Sequence, residues 1–379
     1  MSRLQGLRNF GQSIWLDYVR RSLITSGELG RMVEADGISG VTSNPTIFEK
    51  AIAGSQDYDN QLQAILTDNP RTEPRTLYEL LAIEDIRMAA DVLRPVYIQT
   101  AGADGFVSLE ASPHLAHDTE GTLYEVRRLW KAVARPNVMI KVPGTPEGIP
   151  AVEALIAEGI NINITLMFSL SHYEAVAQAY LKGLRRCATP QTVASVASFF
   201  VSRVDTVVDR ALEEIGTRQA LELRGKIAIA NTKLVYRRFR EIFYGDAFST
   251  LRRKGARVQR PLWASTGTKN PEYSDVLYVE GLIGPDTVNT LPPATLDAFR
   301  DHGEASRSAV QENWEEAGSS LAKLKQLGID LETVTEKLQT DGVAAFAASF
   351  DQLLTALSEK RKTIIARQLD RQSPAVREE

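Results

Sequence analysis

Six short runs alternate apolar and polar residues with a period of two, and in each the polar positions gather toward the C-terminal end. The alternation is complete in GININITL, where Asn161, Asn163 and Thr165 oppose Ile160, Ile162, Ile164 and Leu166. Successive side chains of a strand point to opposite faces, so such runs predict strands with one apolar face and a few chosen polar groups on the other. In GFVSLE, Phe106, Ser108 and Glu110 share a face; in VMIKVPGT, Met139 and Lys141 oppose Val138, Ile140 and Val142. In SIWLDYV, Asp17 lies with Trp15 against Ile14 and Leu16; in GVTSNP, Thr42 and Asn44 share a side; in SVASFF, Ser198 comes near the end of the run.

Eight strands are predicted in all, at about 14–19, 39–43, 105–110, 138–142, 160–166, 193–199, 260–266 and 286–291. Each gap leaves room for a crossover helix, and residues 84–99, 122–134, 144–159 and 169–187 carry helical patterning. Eight such units favour an α/β fold of the closed (β/α)8 TIM barrel type over an open sheet. Residues 203–251 are expected to be helical throughout, with 226–244, free of Gly and Pro, as one long helix. Beyond about 293 the chain turns helical again, through AVQENWEEAGSSLAKLKQLG and GVAAFAASFDQLLTALSEKRK. No repeat, low-complexity tract or Pro/Gly linker divides it. Residues 1–379 are therefore read as one barrel domain with extra helices, those at about 293–370 packing on the barrel as a C-terminal extension. The polar end, 371–379, is expected to be a flexible tail.

A lysine in a strand covered on both sides must pair, reach water or lose its proton. A shift of about three units from the usual value of about 10.4 would give Lys141 a useful neutral fraction near pH 7, and such an amine attacks carbonyls to form Schiff bases. From this strand alone, a core-edge lysine paired with a carboxylate or snorkelling to the surface stands equally well. The other strands shift the balance. Each buried polar group without a partner costs about 1–3 kcal/mol, so one shared site explains them better than scatter. Taken singly, Asn44 before Pro45 is a turn residue, Asp17 a solvated carboxylate and Ser198 a small filler. Asn161 and Asn163 resist such readings, because Asn is depleted in strands. A barrel presents its chemistry at the C-terminal ends of its strands. Asp17, Asn44, Glu110, Lys141, Asn163, Thr165 and Ser198 are predicted to converge there as a nucleophile, carboxylates for proton transfer, and amides and hydroxyls that hold a polyol.

Charge and composition narrow the partners. Balanced charge, 44 basic against 48 acidic residues for a net −4, does not favour nucleic acid or an anionic membrane. A single cysteine, Cys187, excludes an intramolecular disulfide and any Cys-based zinc or iron–sulfur site, and suits a reducing compartment. No apolar run approaches the roughly 18 residues of a transmembrane helix, and the N-terminal segment lacks the apolar core of a signal peptide, so a cytoplasmic protein is expected. HLAHD sets His114, His117 and Asp118 at metal-like spacing, but only four histidines exist and no further ligand set appears; a surface loop is the preferred reading. KVPGTPEG has neither GxGxxG nor GK[ST], which argues against a nucleotide site. The basic runs at 237–240 and 360–367 read as solvated helix faces.

At DYVRRSLI, GVTSNPTIFEKAI, VSLE, VMIKVPGTPEGIPAV, NINITLMFS and SFFVSR, in that order, the chain resembles a transaldolase over about residues 10–300. The resemblance implies that Lys141 forms a Schiff base with a ketose phosphate and that Asp17 takes the proton of the C4 hydroxyl as the C3–C4 bond breaks. By the same likeness Glu110 and Thr165 handle a catalytic water, while Asn44, Asn163 and Ser198 hold the dihydroxyacetone unit. Sedoheptulose 7-phosphate or fructose 6-phosphate would be the donor, and glyceraldehyde 3-phosphate or erythrose 4-phosphate the acceptor. The reaction belongs to the non-oxidative pentose phosphate pathway and uses no cofactor and no metal. Arg203 matches the family arginine after the sixth strand, and its guanidinium suits a phosphate. ASTGTKN stands where the family has Ser-x-Arg after the seventh strand, so Ser265 and Lys269 become the phosphate candidates, Lys269 as a point charge. Phe199 stands where the family commonly has Pro. Phe200 stands where related fructose 6-phosphate aldolases carry Tyr, which favours transfer over cleavage. Sugar phosphates are thus the expected partners of a monomer or homodimer. The rival readings are an aldolase-type lyase of the same imine chemistry and a non-catalytic phosphosugar-binding barrel.

Overall fold

Alternating strands buried on both faces need helices on the outside and side chains within, and the computed structural model, which describes residues 2–372, has that arrangement. Strands β1 (Gln12–Leu16), β2 (Gly40–Thr42), β3 (Phe106–Glu110), β4 (Val138–Pro143), β5 (Ile162–Met167), β6 (Ser195–Phe200), β7 (Arg260–Ala264) and β8 (Thr287–Leu291) close into a barrel in chain order. All eight pairings are parallel. The barrel is the predicted (β/α)8 fold, with strand limits moved by a few residues. β1 ends at Leu16 and leaves Asp17 just beyond it; β7 ends at Ala264, and Ser265 begins the next loop with a left-handed φ of 55°.

The N-terminal end of the barrel is closed by partnered groups. Trp15 is fully buried and donates its indole N–H to Asp104 at 2.8 Å, while Arg260 donates to the Ser13 hydroxyl at 2.6 Å and to the Thr287 carbonyl at 2.7 Å. Asn161 also belongs to this end. Its amide donates to the Pro136 and Val138 carbonyls, both at 3.1 Å, and its oxygen accepts the Ala194 N–H at 2.9 Å. An asparagine is tolerated just before β5 because it stitches three neighbouring segments together.

Residues 203–251 are helical but not continuous, in contrast to the expectation. Helices Ser202–Ile215, Arg218–Leu221, Ile227–Tyr244 and Asp246–Arg253 follow one another, and Gly216, left-handed at φ 67°, ends the first. A left-handed residue cannot continue a right-handed helix, and glycine adopts it without the Cβ penalty. The long helix at Ile227–Tyr244 is present as predicted.

The C-terminal helix Leu331–Gln372 buries a stripe made of Thr335, Gln339, Phe346, Phe350, Leu353 and Leu357. Spacings of three, four and seven put these on one helix face. Phe350 joins Tyr78 and Phe48 in an edge-to-face series with centroids 5.4 and 5.6 Å apart, and the Thr46 hydroxyl donates to Ser349 at 2.9 Å. The helix reaches Gln372, so residues 371 and 372 of the expected tail are helical; 373–379 lie outside the described residues. In the HLAHD segment, His114 contacts Asp351 at 2.7 Å, His117 contacts Glu147 at 3.0 Å, and Asp118 caps helix Thr119–Val133. Among the described residues no group of three His, Cys, Asp or Glu side chains is placed to hold a metal ion, and no helix is long and apolar enough to cross a membrane.

Gly40 in β2 faces the Trp15 ring, and a Cβ there would lie 2.4 Å from Trp15 Cδ2. Gly40→Ala is expected to destabilise the fold by about 1–3 kcal/mol through overpacking, read as a lowered urea midpoint at unchanged slope. An unchanged midpoint would mean that the indole has room to move.

Candidate active site

Strand register sets the centre of the site. Glu110 pairs with Lys141 across β3 and β4, and Lys141 with Asn163 across β4 and β5, so three consecutive strands bring these residues into one row. Lys141 is 5% exposed, and its Nζ donates to Glu110 Oε2 and to the Ser43 carbonyl, both at 3.0 Å. Three N–H donors on an ammonium leave one for the cavity above. The lysine is therefore both buried and paired. Burial pushes the Glu110 carboxyl up from its ordinary range; the Lys141 charge and hydrogen bond offset part of that, and nearby Asp17 adds to it.

Above this row lies a cavity of about 470 Å3 at the C-terminal mouth of the barrel. Asp17, Asn44, Lys141, Thr165, Ser198, Arg203, Ser265 and Lys269, all predicted site residues, line it. Asp17 accepts the Thr42 hydroxyl at 2.8 Å; burial raises its pKa, offset in part by Lys141 and then by Thr42. Asn44 caps helix Pro45–Ala53 by accepting the Ile47 N–H at 2.9 Å, which uses its oxygen and leaves its amide N–H2 free to donate.

Two predicted residues are placed differently. Asn163 is fully buried behind the wall, donating to Ser108 at 3.0 Å and accepting the Ser198 hydroxyl at 2.6 Å. Its amide thus fixes Ser198 and does not itself line the cavity. Glu110 likewise lies behind the wall, joined to the cavity through Lys141. Thr165 is the opposite case: its Oγ1 is buried and has no hydrogen-bond partner among the described residues. A hydroxyl in that state on a cavity wall marks a place for a polar ligand atom or water.

The rim carries positive charge. Arg203, in the first turn of helix Ser202–Ile215, stacks over Phe200 at 5.2 Å and has no carboxylate partner among the described residues; burial lowers its pKa. Ser265 meets Ser202 hydroxyl to hydroxyl at 3.0 Å, and Lys269 stands exposed at the edge. Sequence reasoning missed Lys50, which lines the same cavity from helix Pro45–Ala53. Its signal was available, since Ile47 and Lys50 follow the Asn44 cap at helical spacing. It also missed Phe346, whose ring centroid lies 5.9 Å from Lys141 Nζ. The helical run that contains it was read from the sequence, but no reading placed this phenylalanine at the cavity.

A family model described as transaldolase/fructose-6-phosphate aldolase matches residues 14–357. The chain belongs to that family. It is 48% identical to a transaldolase of Thiobacillus denitrificans over 94% of this chain and 100% of that protein. It is 47% identical to a transaldolase of Thermobifida fusca, over 95% and 98% of the two chains, and 44% identical to transaldolase 1 of Streptomyces coelicolor, over 94% of each. It is an enzyme of the transaldolase type. The family match runs past residue 300, where the resemblance was expected to stop, and takes in the C-terminal helix as far as Leu357. In this transaldolase-family chain that helix supplies Phe346 to the cavity wall, which gives it a physical reason to belong.

A carboxyl whose pKa is raised by folding lowers stability as pH climbs from its unfolded value of about 3.9 through its folded one. Asp17→Asn removes that loss. The variant is expected to be more stable than the parent at neutral pH, with the advantage fading below about pH 4, where both side chains are neutral. Urea unfolding across pH checks this, and equal stability at pH 7 would show that the Lys141 charge fully compensates Asp17.

Proposed function

We propose that the chain is a transaldolase that moves a dihydroxyacetone unit between sugar phosphates through a Schiff base on Lys141. The observation that carries the reading is the buried Lys141–Glu110 pair at the floor of a cavity walled by Asp17, Thr165 and Ser198 and rimmed by cations. An ammonium is no nucleophile, and the carboxylate 3.0 Å away is the group placed to take its proton. The freed amine adds to the ketose carbonyl. Glu110, now an acid, and the unpartnered Thr165 hydroxyl then serve the water that leaves as the carbinolamine becomes an iminium.

Asp17 takes the proton of the C4 hydroxyl, and the electron pair of the C3–C4 bond passes into the iminium as an enamine while an aldose phosphate departs. A raised pKa suits a carboxyl that must take and return this proton. The acceptor aldehyde forms the new carbon–carbon bond, its oxygen recovers the proton from Asp17, and water releases the ketose from Lys141. Asn44 and Ser198 hold the three-carbon unit, with Asn163 fixing the Ser198 hydroxyl from behind. Arg203, Ser265 and Lys269 take the phosphate; an uncompensated, partly desolvated guanidinium favours a dianion. The donor is sedoheptulose 7-phosphate or fructose 6-phosphate and the acceptor glyceraldehyde 3-phosphate or erythrose 4-phosphate, within the non-oxidative pentose phosphate pathway. A cytoplasmic setting, where these sugar phosphates are found, suits the single unpaired Cys187.

Lys141→Ala is expected to abolish the borohydride-trapped adduct with fructose 6-phosphate while the circular dichroism spectrum stays that of the parent. In the parent, glyceraldehyde 3-phosphate release from fructose 6-phosphate should require erythrose 4-phosphate. Release without the acceptor would make the enzyme an aldolase, and undiminished adduct in the variant would remove Lys141 from its role. Lys269→Ala is expected to raise KM for the phosphorylated acceptor by about tenfold with a smaller change in kcat, the pattern of lost uniform binding. An unchanged KM would take Lys269 out of the phosphate site.

A further inference from the structure

The strand that carries Asn163 and Thr165 does not run straight to its end. The β5–β6 register shifts between Ile164 and Met167, and within this bulge Leu166 has a left-handed φ of 61°. Such a conformation costs a non-glycine residue about 1–3 kcal/mol and persists only where surrounding structure enforces it. A bulge also re-aims the neighbouring side chains, here the Thr165 hydroxyl that faces the cavity without a partner.

The C-terminal helix holds this bulge in place. Gln339, 6% exposed on its buried stripe, donates one amide N–H to the Leu166 carbonyl at 2.9 Å and the other to the Gly144 carbonyl at 3.2 Å. Gly144 lies just beyond β4, three residues after Lys141, and its own N–H donates to the Thr165 carbonyl at 2.8 Å. One side-chain amide therefore ties the loop after the lysine to the turn that aims the threonine. Three residues along the helix, Gly342 lets the backbone come close: a Cβ there would lie 3.0 Å from Leu166 Cδ2.

We propose that Gln339 is a positioning residue for catalysis, acting through the bulged Leu166 carbonyl to aim the Thr165 hydroxyl at the carbon bonded to Lys141. The proposal rests on the transaldolase reading for the role of Thr165. A glutamine suits the task because two carbonyls need two donors from one planar group. A glutamate would present acceptors to acceptors until protonated, and burial beside two carbonyls raises the pH at which it takes up that proton.

The test measures kcat and KM for fructose 6-phosphate with erythrose 4-phosphate in the full-length enzyme carrying Gln339→Met or Gln339→Glu, each alone and with Thr165→Val. Gln339→Met is expected to lower kcat about tenfold at every pH with KM within about threefold, because the defect lies in chemistry and not in binding. Gln339→Glu should be as slow near pH 8 but recover at least about threefold toward the parent near pH 6, as its carboxyl regains a donor. In the Thr165→Val background the Gln339→Met loss should shrink to within about twofold, the non-additivity of residues acting as a unit. Full additivity, a kcat for Gln339→Met within about twofold of the parent, or a Gln339→Glu profile parallel to the parent's would overturn the proposal. If Gln339→Met does not fold, the pH profile of Gln339→Glu decides alone. A parent that forms no borohydride-trapped adduct would instead indict the Schiff-base reading, and a fully active Thr165→Val the role given to Thr165.

Discussion

Everything at the mouth of this barrel is arranged around one buried ion pair, Lys141 with Glu110. Removing two opposite charges from water carries a penalty of several kcal/mol per ion, which their attraction repays only when geometry is good and the remaining donors are satisfied. Parallel register supplies the geometry, since Glu110 and Lys141 are direct partners across β3 and β4. The Ser43 carbonyl takes a second ammonium proton, and Ser43 is held in turn by its hydroxyl on the Ser108 carbonyl at 2.7 Å. Well-packed hydrophobic residues in the place of a buried ion pair are often no less stable. On the function proposed above, the ionic one is retained because the reaction needs an amine.

The polar residues of the interior divide into those that satisfy one another and those left for a ligand. Asn161, Asn163 and Ser108 are occupied within the protein, and the cost of burying them is offset by the strands they join. Among the described residues, Thr165 Oγ1 and the Asn44 amide N–H2 have no hydrogen-bond partner on one cavity, whose rim carries Arg203 and the exposed Lys269. Groups of the first kind explain how the barrel tolerates asparagine in and beside its strands; those of the second line the cavity at its mouth.

The C-terminal helix completes the enclosure. Phe346 lies against the lysine, Gln339 grips the bulge of β5, and Ser349 meets Thr46 on the helix that Asn44 caps. With that helix in place, three elements far apart in sequence meet at one wall, and the Phe346 ring lies 5.9 Å from the Lys141 amine.

Much of the fold was legible locally. A period of two marked six of the eight strands, because alternation is a property of neighbouring residues, and the polar parity of those runs put Asp17, Lys141, Thr165 and Ser198 at one end. The break at Gly216 and the bulge at Leu166 were not legible: a glycine inside a helical pattern does not by itself end a helix, and GININITL reads as unbroken alternation although its last turn is left-handed. Parity also could not separate Asn163 from Thr165, since both face inward and only their partners differ. The sequence by itself determined which residues point into the barrel. The tertiary structure decided which of them are spent on each other and which stay free, because those partnerships depend on strand register and on contacts such as Gln339 with Leu166, 173 residues apart, that no local pattern encodes.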